Sequence, residues 1–326
     1  MKRNILIDGN NLLHRINAIV SKDPVRVSKD GYPINLIVGT LSILLNWIHN
    51  IPNPDRLILF LDGTPKKRLE IDPNYKPTST TRPGSESRPL LLASGYQAQN
   101  ELDIIVYLLK LVGFDVYYHP EEEADDLIAS FVFQNPEDIN IIISSDKDFY
   151  HLFTINPKII LYIPGIKGNR FFDRELAEAD LLRKYKVKLS VADLRMFKAL
   201  TGDPSDGIKG VLRLRKKVVA PICYCQTVNE LYETGFPNFS KTELASMNSA
   251  KDLIEKNLKL ISFDYQINLN DICQSMKGIR AETLSFSIAD SILNQLDIRT
   301  ISMNDFKIQK TIVRFNDVIP DFLSDI

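Results

Sequence analysis

Histidine, cysteine and tryptophan are scarce in this chain: its 326 residues include four, three and one of them. Cys223, Cys225 and Cys273 are odd in number and wrongly spaced for a zinc site, so they read as reduced thiols in a cytoplasm. His14, His49, His119 and His151 are not arranged to act as bases. No Gly-x-Gly-x-x-Gly follows the first apolar run, which argues against a Rossmann-like nucleotide binder. The opening MKRNILIDGNN reaches Asp8 after a very short apolar run, so it reads as neither a signal peptide nor a membrane span. Internal repeats and low-complexity tracts are lacking as well. With 44% apolar and 25% charged residues, the chain has the balance of a soluble globular protein of one large or two ordinary domains.

What the chain does have is five short clusters of carboxylates spread over two thirds of its length. They are Asp8 (ILIDGNN), Asp62 (LFLDGTP), Glu123 with Asp125 and Asp126, Asp146 with Asp148 (IIISSDKDF), and Asp203 with Asp206 (TGDPSDG). Three follow or end a run of Ile, Leu, Val or Phe. In a parallel sheet such runs are buried strands whose C-terminal ends open onto one edge. On one sheet the acids would converge, and a nest of that kind needs cations. Oxygen ligands with no His or Cys nearby select Mg²⁺ or Mn²⁺ over zinc. The net charge of −1 conceals a segregation, because without these nine carboxylates the remainder carries +8. Its positive charge gathers at Lys66-Lys67-Arg68, from Lys76 to Arg88, and from Lys209 to Lys217, a pattern that suits a phosphate path.

Apolar patterning predicts strands at 4–8, 56–62, 114–118, 139–144 and 159–163, and helices at 34–49, 97–112 and 124–133. That order implies an α/β fold with a mostly parallel, doubly wound sheet. The stretch from Gly63 to Gly95, with five prolines and little apolar periodicity, interrupts it as a long polar insert directly after a strand. From Asp173 onward helices take over, beginning at 174–185 and 191–200.

Each motif has a bland reading beside the chemical one. Asp8 alone could be a turn or cap residue. A haloacid dehalogenase-type phosphatase would need a second Asp where Asn10 stands. Glu123, Asp125 and Asp126 suit the positive end of a helix dipole, but Glu121 and Glu122 exceed what capping needs. Asp146-x-Asp148 after an Ile-rich strand is more specific to a sheet edge. Gly202, Gly207 and Gly210 suit a tight turn between two helices. Lys209, Arg213, Arg215, Lys216 and Lys217 beside that turn could hold a phosphate, or simply form a basic face.

Taken together, the order Asp…Asp-Gly…Glu-Ala-Asp-Asp…Ser-x-Asp-x-Asp…Gly-Asp-x-x-Asp resembles the 5′-nuclease superfamily, from Asn4 to about Val219. Within it the chain is most similar to the T-even phage ribonuclease H type. Arg68 through Tyr75-Lys76 resembles the Arg-x₆-Tyr-Lys segment of that family's helical arch. The resemblance implies a catalytic domain at 1–172 with an arch insert at about 63–97. It also implies a mainly helical duplex-binding domain at 173–326 with a helix–three-turn–helix at about 190–222. It assigns Asp8, Asp62, Glu123 and Asp125 to one metal ion. Asp146, Asp148, Asp203 and Asp206 go to a second, directly or through water, with Asp126 behind or between the two.

Lys76, with Lys67 or Arg68, would bring positive charge to the scissile phosphate, and Tyr75 or Tyr96 would offer stacking faces, ordinary packing being the alternative. Gly207, Lys209 and Gly210 would grip the duplex. Two departures stand out: Gly207 replaces the family's usual Asn, and Leu212-Arg213-Leu214-Arg215-Lys216 replaces its Gly-Ile-Gly-x-Lys turn. The arginine expected soon after Tyr-Lys is displaced, with Arg82 and Arg88 as candidates.

The implied activity is two-metal hydrolysis, with two Mg²⁺ that Mn²⁺ can replace, at RNA or DNA 5′ ends on a flapped duplex or RNA–DNA hybrid. Such an activity suits primer removal in lagging-strand replication. A PIN-type ribonuclease would lack the Gly-Asp-x-x-Asp hairpin. A DNA-binding protein without turnover would lack ligand acids. The expected setting is a monomer in the cytoplasm, that of the host if phage-encoded. The segment FNDVIPDFLSDI at 315–326 is a candidate contact for a sliding clamp or single-strand-binding protein, plain packing being the alternative.

Overall fold

The computed structural model describes residues 1–20, 26–49, 51, 54–76, 96–165, 170–263, 265–269 and 284–303. Most of the expected arch, including Arg82 and Arg88, lies outside them, as do Cys273, the 315–326 segment and the side chain of Tyr96.

A six-stranded sheet carries the fold, in the order β3-β2-β1-β4-β5-β6. Its strands are β1 (Arg3–Asp8), β2 (Arg56–Leu61), β3 (Phe114–Tyr118), β4 (Ile139–Ile143), β5 (Ile159–Ile163) and β6 (Arg170–Phe172). The first five are parallel to one another and β6 is antiparallel at the edge. The strands read as unbroken apolar runs because both faces are covered. Ile5, Ile7, Leu57 and Leu59 pack to one side with α1 (Gly9–Val20), α2 (Asn35–His49) and the helix Tyr96–Leu111. Leu6, Ile58, Phe60 and Ile142 pack to the other, against the helix Ala124–Gln134 and the helices that follow.

In chain order the remaining helices are α3 (Lys66–Ile71), α4 (Tyr96–Leu111), α5 (Ala124–Gln134), α6 (Arg174–Tyr185), α7 (Leu194–Thr201), α8 (Lys216–Val219), α9 (Val228–Thr234), α10 (Lys241–Asn248), α11 (Lys251–Ile261) and α12 (Phe286–Gln295). Local signals fix several ends. Asp173 caps α6 by accepting from the Leu176 N–H at 2.8 Å. Thr227 with Glu230 and Ser240 with Glu243 form capping boxes at α9 and α10. Among the described residues no helix is long and apolar enough to cross a membrane.

Four features add detail to the sequence reading. It did not foresee α1, whose start is masked by the polar Gly9-Asn10-Asn11. Part of the polar insert is helical, at α3. The turn after α7 is a small hairpin, Gly202–Asp203 against Ile208–Lys209, rather than a bare helix–helix turn. Gly202 is required there by its φ of 81° and because a Cβ would meet the Gly210 nitrogen at 2.4 Å. Finally, among the described residues one core extends across residue 172. The sheet face containing Leu6 and Phe60 runs on through Phe197 of α7, Met247 of α10 and Ile254 of α11. Farther along, α12 returns to the opposite face, where the Ser285 N–H donates to the Leu111 carbonyl at 2.9 Å.

Gly63, directly after β2, tests how tightly the strand ends are laced. A Cβ there would lie 2.0 Å from the His119 carbonyl oxygen and 2.7 Å from the Pro120 carbonyl carbon, both backbone atoms that cannot swing aside. Gly63→Ala is expected to cost about 1–3 kcal/mol in urea denaturation. An unchanged midpoint would show that the two strand ends are not held together.

Candidate metal centre and nucleic-acid interface

Four adjacent parallel strands deliver acids to one rim. Asp8 ends β1, Asp62 follows β2, Glu123 follows β3 after a short loop, and Asp146 follows β4. The hairpin after α7 adds Asp203 and Asp206. Two sets have carboxylate oxygens within 4.8 Å of one another, namely Glu123, Asp125 and Asp126, and Asp148, Asp203 and Asp206. The donors are all oxygen, as hard divalent ions require.

Neutral donors set the acids in place. Asp8 accepts from the Asn11 N–H at 2.9 Å and the Ser144 hydroxyl at 2.7 Å. Asp62 accepts from the Ala124 N–H at 2.8 Å, tying the end of β2 to the start of α5. Asp146 accepts from the Asp148 N–H at 2.9 Å and so caps the 3₁₀ helix Lys147–Thr154. Lys147, between those two acids, turns away and pairs with Asp180.

Three cations hold the nest together. Lys76 pairs with Glu123, while its backbone N–H donates to the Asp206 carbonyl at 2.9 Å. This single residue therefore touches both acidic sets, in a left-handed backbone conformation with φ 44°. Lys198, on α7, pairs with Asp148 and lies 2.6 Å from Asp203. Arg68 is buried, donates to Glu123 at 2.5 Å and to Asp126 at 2.8 Å, and reaches the carbonyls of Leu260 at 2.9 Å and Ser262 at 3.1 Å.

Two expected roles change as a result. Arg68 is not a group free to meet a phosphate, because its guanidinium is a clamp between the acids of α5 and the end of α11, and its hold on Asp126 turns that carboxylate inward. Tyr75 is 5% exposed, packs with Ile208 and Leu260, and donates its hydroxyl to Glu123 at 3.3 Å. Its ring supports Lys76 and Arg68 from below and is closed to stacking by a base. Lys67 is exposed and pairs with Glu122 at 2.9 Å. On the hairpin side Lys209, Arg213, Lys216 and Lys217 are exposed around Gly207 and Gly210, and Arg215 pairs with Glu243 at 2.7 Å. The sequence reading missed Lys198. Its signal was a lone lysine in the apolar Met-Phe-Lys-Ala-Leu of a helix, five residues before Asp203.

The crowding shows in the acidities. Burial pushes the Asp8 carboxyl up, and Asp125 adds to it. Asp62 is pushed up to about 7, by burial first and by Glu123, Asp125 and Asp8 next, against the pull of Lys76. Asp146 reaches about 8 through burial and Asp148. Both residues are nonetheless exposed at the rim, where solvent tempers these shifts. Asp206 rises to about 6, by burial first and then by Asp203 and Asp148. For Asp203 burial acts upward too, but Lys198 and Ser205 outweigh it and hold the group below its ordinary range.

The profile of the 5′-3′ exonuclease N-terminal, resolvase-like domain matches residues 3–186. A 5′-3′ exonuclease of Mycobacterium tuberculosis is 26% identical over 223 residues, 67% of this chain and 69% of its own length. One from Aquifex aeolicus is 26% identical over 316 residues, 92% of this chain and 100% of its own. Among solved structures, a bacteriophage T5 protein co-crystallised with metal ions is similar at TM-score 0.62 and 19% identity, covering 94% of this chain and 98% of that one. The bacteriophage T5 flap endonuclease in a pseudo-enzyme-product complex with DNA and metal ions has TM-score 0.59 and 21% identity, with 91% and 100% covered. At these identities the structural likeness bears on the fold.

Two measurements check the site. Asp62, Asp146 and Asp206 hold protons in the folded chain at pH values where the unfolded chain has released them. Stability without divalent ions should therefore fall as pH rises from about 4 to about 8. Asp203, held low, loses its contribution only below about pH 4. His151, lowered by burial, works against the fall, so the diagnostic is the difference made by Mg²⁺, which should flatten the slope in thermal denaturation. In the second measurement, Arg68→Met leaves Glu123 and Asp126 without their buried partner and should cost about 3–5 kcal/mol by chemical denaturation.

Proposed function

Since the chain belongs to the 5′-3′ exonuclease family, we propose that it is a two-metal phosphodiesterase that cleaves RNA or DNA 5′ ends on a flapped duplex or an RNA–DNA hybrid. The observation that carries the reading is the convergence of acids from four neighbouring strand ends and one hairpin, each set already paired with a lysine ammonium. Residues so placed that they draw in positive charge fit hard divalent ions. Asp8, Asp62, Glu123 and Asp125 would hold one Mg²⁺, and Asp146, Asp148, Asp203 and Asp206 the other, with Mn²⁺ able to replace both. When bound, such ions activate water and neutralise charge on the phosphate and the leaving 3′-oxygen.

The chain's own groups do the rest. Asn11 and Ser144 fix the Asp8 carboxylate, and Ala124 fixes that of Asp62. Lys76 stands at the foot of the arch segment. Its ammonium, paired here with Glu123, would supply positive charge to the scissile phosphate. Tyr75 and Arg68 keep the base of that segment in register with α5. Lys209, Arg213, Lys216 and Lys217 lie along the hairpin and α8, where backbone phosphates of a duplex would pass. Contacts of that kind are indifferent to sequence and sensitive to salt. We assign 1–172 the catalytic domain, its second ion site completed by Asp203 and Asp206, and the helical region from 173 the duplex grip, the two sharing one core. The enzyme acts as a monomer in the cytoplasm, and its products are short 5′-phosphorylated oligonucleotides, as primer removal requires.

The direct test uses a 5′-labelled flap and a 5′-labelled RNA–DNA hybrid with Mg²⁺. Short labelled products are expected from both, and a folded protein that binds but never cleaves would leave a DNA-binding role instead. Asp146→Asn should lower the rate by about a hundredfold or more, as loss of several kcal/mol of charge stabilisation demands. Lys216→Ala with Lys217→Ala should weaken binding equally for all sequences and reduce the salt slope by about 2.

A further inference from the structure

Lys198 is the cation the nuclease reading leaves without a task. It projects from α7, whose neighbours Phe197, Ala199 and Leu200 are all buried, so its stem is anchored in the core and the residue is 7% exposed. The nitrogen pairs with Asp148 and lies 2.6 Å from Asp203. Asp203 Oδ1 is already taken by the Ser205 N–H at 3.0 Å and by the Ser205 hydroxyl. Both oxygens of Asp203 are thus engaged, one of them by a full positive charge. Asp148, Asp203 and Asp206 together with Asp146 carry a formal charge of −4, which Lys198 reduces to −3, still more than one divalent ion cancels.

We infer that Lys198 is a tethered counter-ion of the second acidic set, a positioning residue that weakens divalent-ion binding there and keeps Asp148 and Asp203 together when no ion is bound. The inference rests on the reading of that set as a metal site. Lys76 makes a comparable contact with Glu123, but from a turn residue with a left-handed backbone rather than from a packed helix. Lys198 is held inside a helix packed against α11. The two acidic sets therefore differ in how their internal cation is held. The second set gains its ion only by drawing carboxylate oxygens away from a charge that stays beside them.

The test is Mn²⁺ titration calorimetry and thermal denaturation of the full chain, in EDTA and in Mn²⁺, for the wild type, Lys198→Met and Lys198→Arg. Wild type should show two affinity classes. Lys198→Met, with similar length and no charge, should bind the weaker ion about tenfold tighter or more. It should also lose thermal stability in EDTA and recover it in Mn²⁺, so a variant that folds only with the ion supports the inference. Lys198→Arg should keep the wild-type affinity. Equal or weaker Mn²⁺ binding by Lys198→Met overturns the inference, as does a loss of stability that is the same with and without Mn²⁺. An arginine variant that binds like the methionine one overturns the charge argument. If the wild type itself binds no divalent ion, the fault lies with the nuclease reading, not with Lys198 alone.

Discussion

Two carboxylates about 4 Å apart repel by roughly 4 kcal/mol at an effective dielectric near 20, and this protein gathers nine around one end of a sheet. A domain is stable by only about 5–15 kcal/mol, so the repulsion has to be offset locally. Arg68, Lys76 and Lys198 do so from three directions. Arg68 binds the innermost acids, Lys76 spans the two sets, and Lys198 closes the second. The raised pKa values of Asp62, Asp146 and Asp206 reflect burial first and then the neighbouring carboxylates that these cations leave uncompensated.

The sheet supplies the geometry at little cost. Parallel strands all point their C-terminal ends the same way, and β1 lies centrally between β2 and β4. An acid at a strand end or within five residues of it therefore meets its neighbours without any long loop. Backbone donors near the acids, such as Asn11 N–H and Ala124 N–H, are by-products of helices starting at that same edge. The hairpin after α7 reaches the rim because α7 packs against the same sheet face and against α11.

Much of this was legible in the residues. Ile139–Ile143 and Ile159–Ile163 read as strands because both sheet faces are covered, so their apolar runs are unbroken. The ligand acids were visible because acids directly after such runs have few structural reasons to be there. Other features were hidden for physical reasons. Arg68 and Tyr75 look like surface residues of a polar segment, and only the tertiary approach of α11 reveals that Leu260 and Ser262 accept from the guanidinium. The edge strand β6 has three residues, too few for an alternating pattern to register. The return of α12 to the far face of the sheet depends on contacts with α4 nearly two hundred residues earlier, which no local pattern encodes.

The Arg68 clamp carries a consequence for modularity. One guanidinium joins an acid-bearing helix of the first half to two carbonyls near residue 260, so its full set of partners comes from both halves. The strand-rich half is for that reason not a portable cassette. Severed after β6, it would lose Asp203, Asp206 and Lys198 outright, and the Arg68 guanidinium would keep Glu123 and Asp126 but lose the Leu260 and Ser262 carbonyls that fix its position.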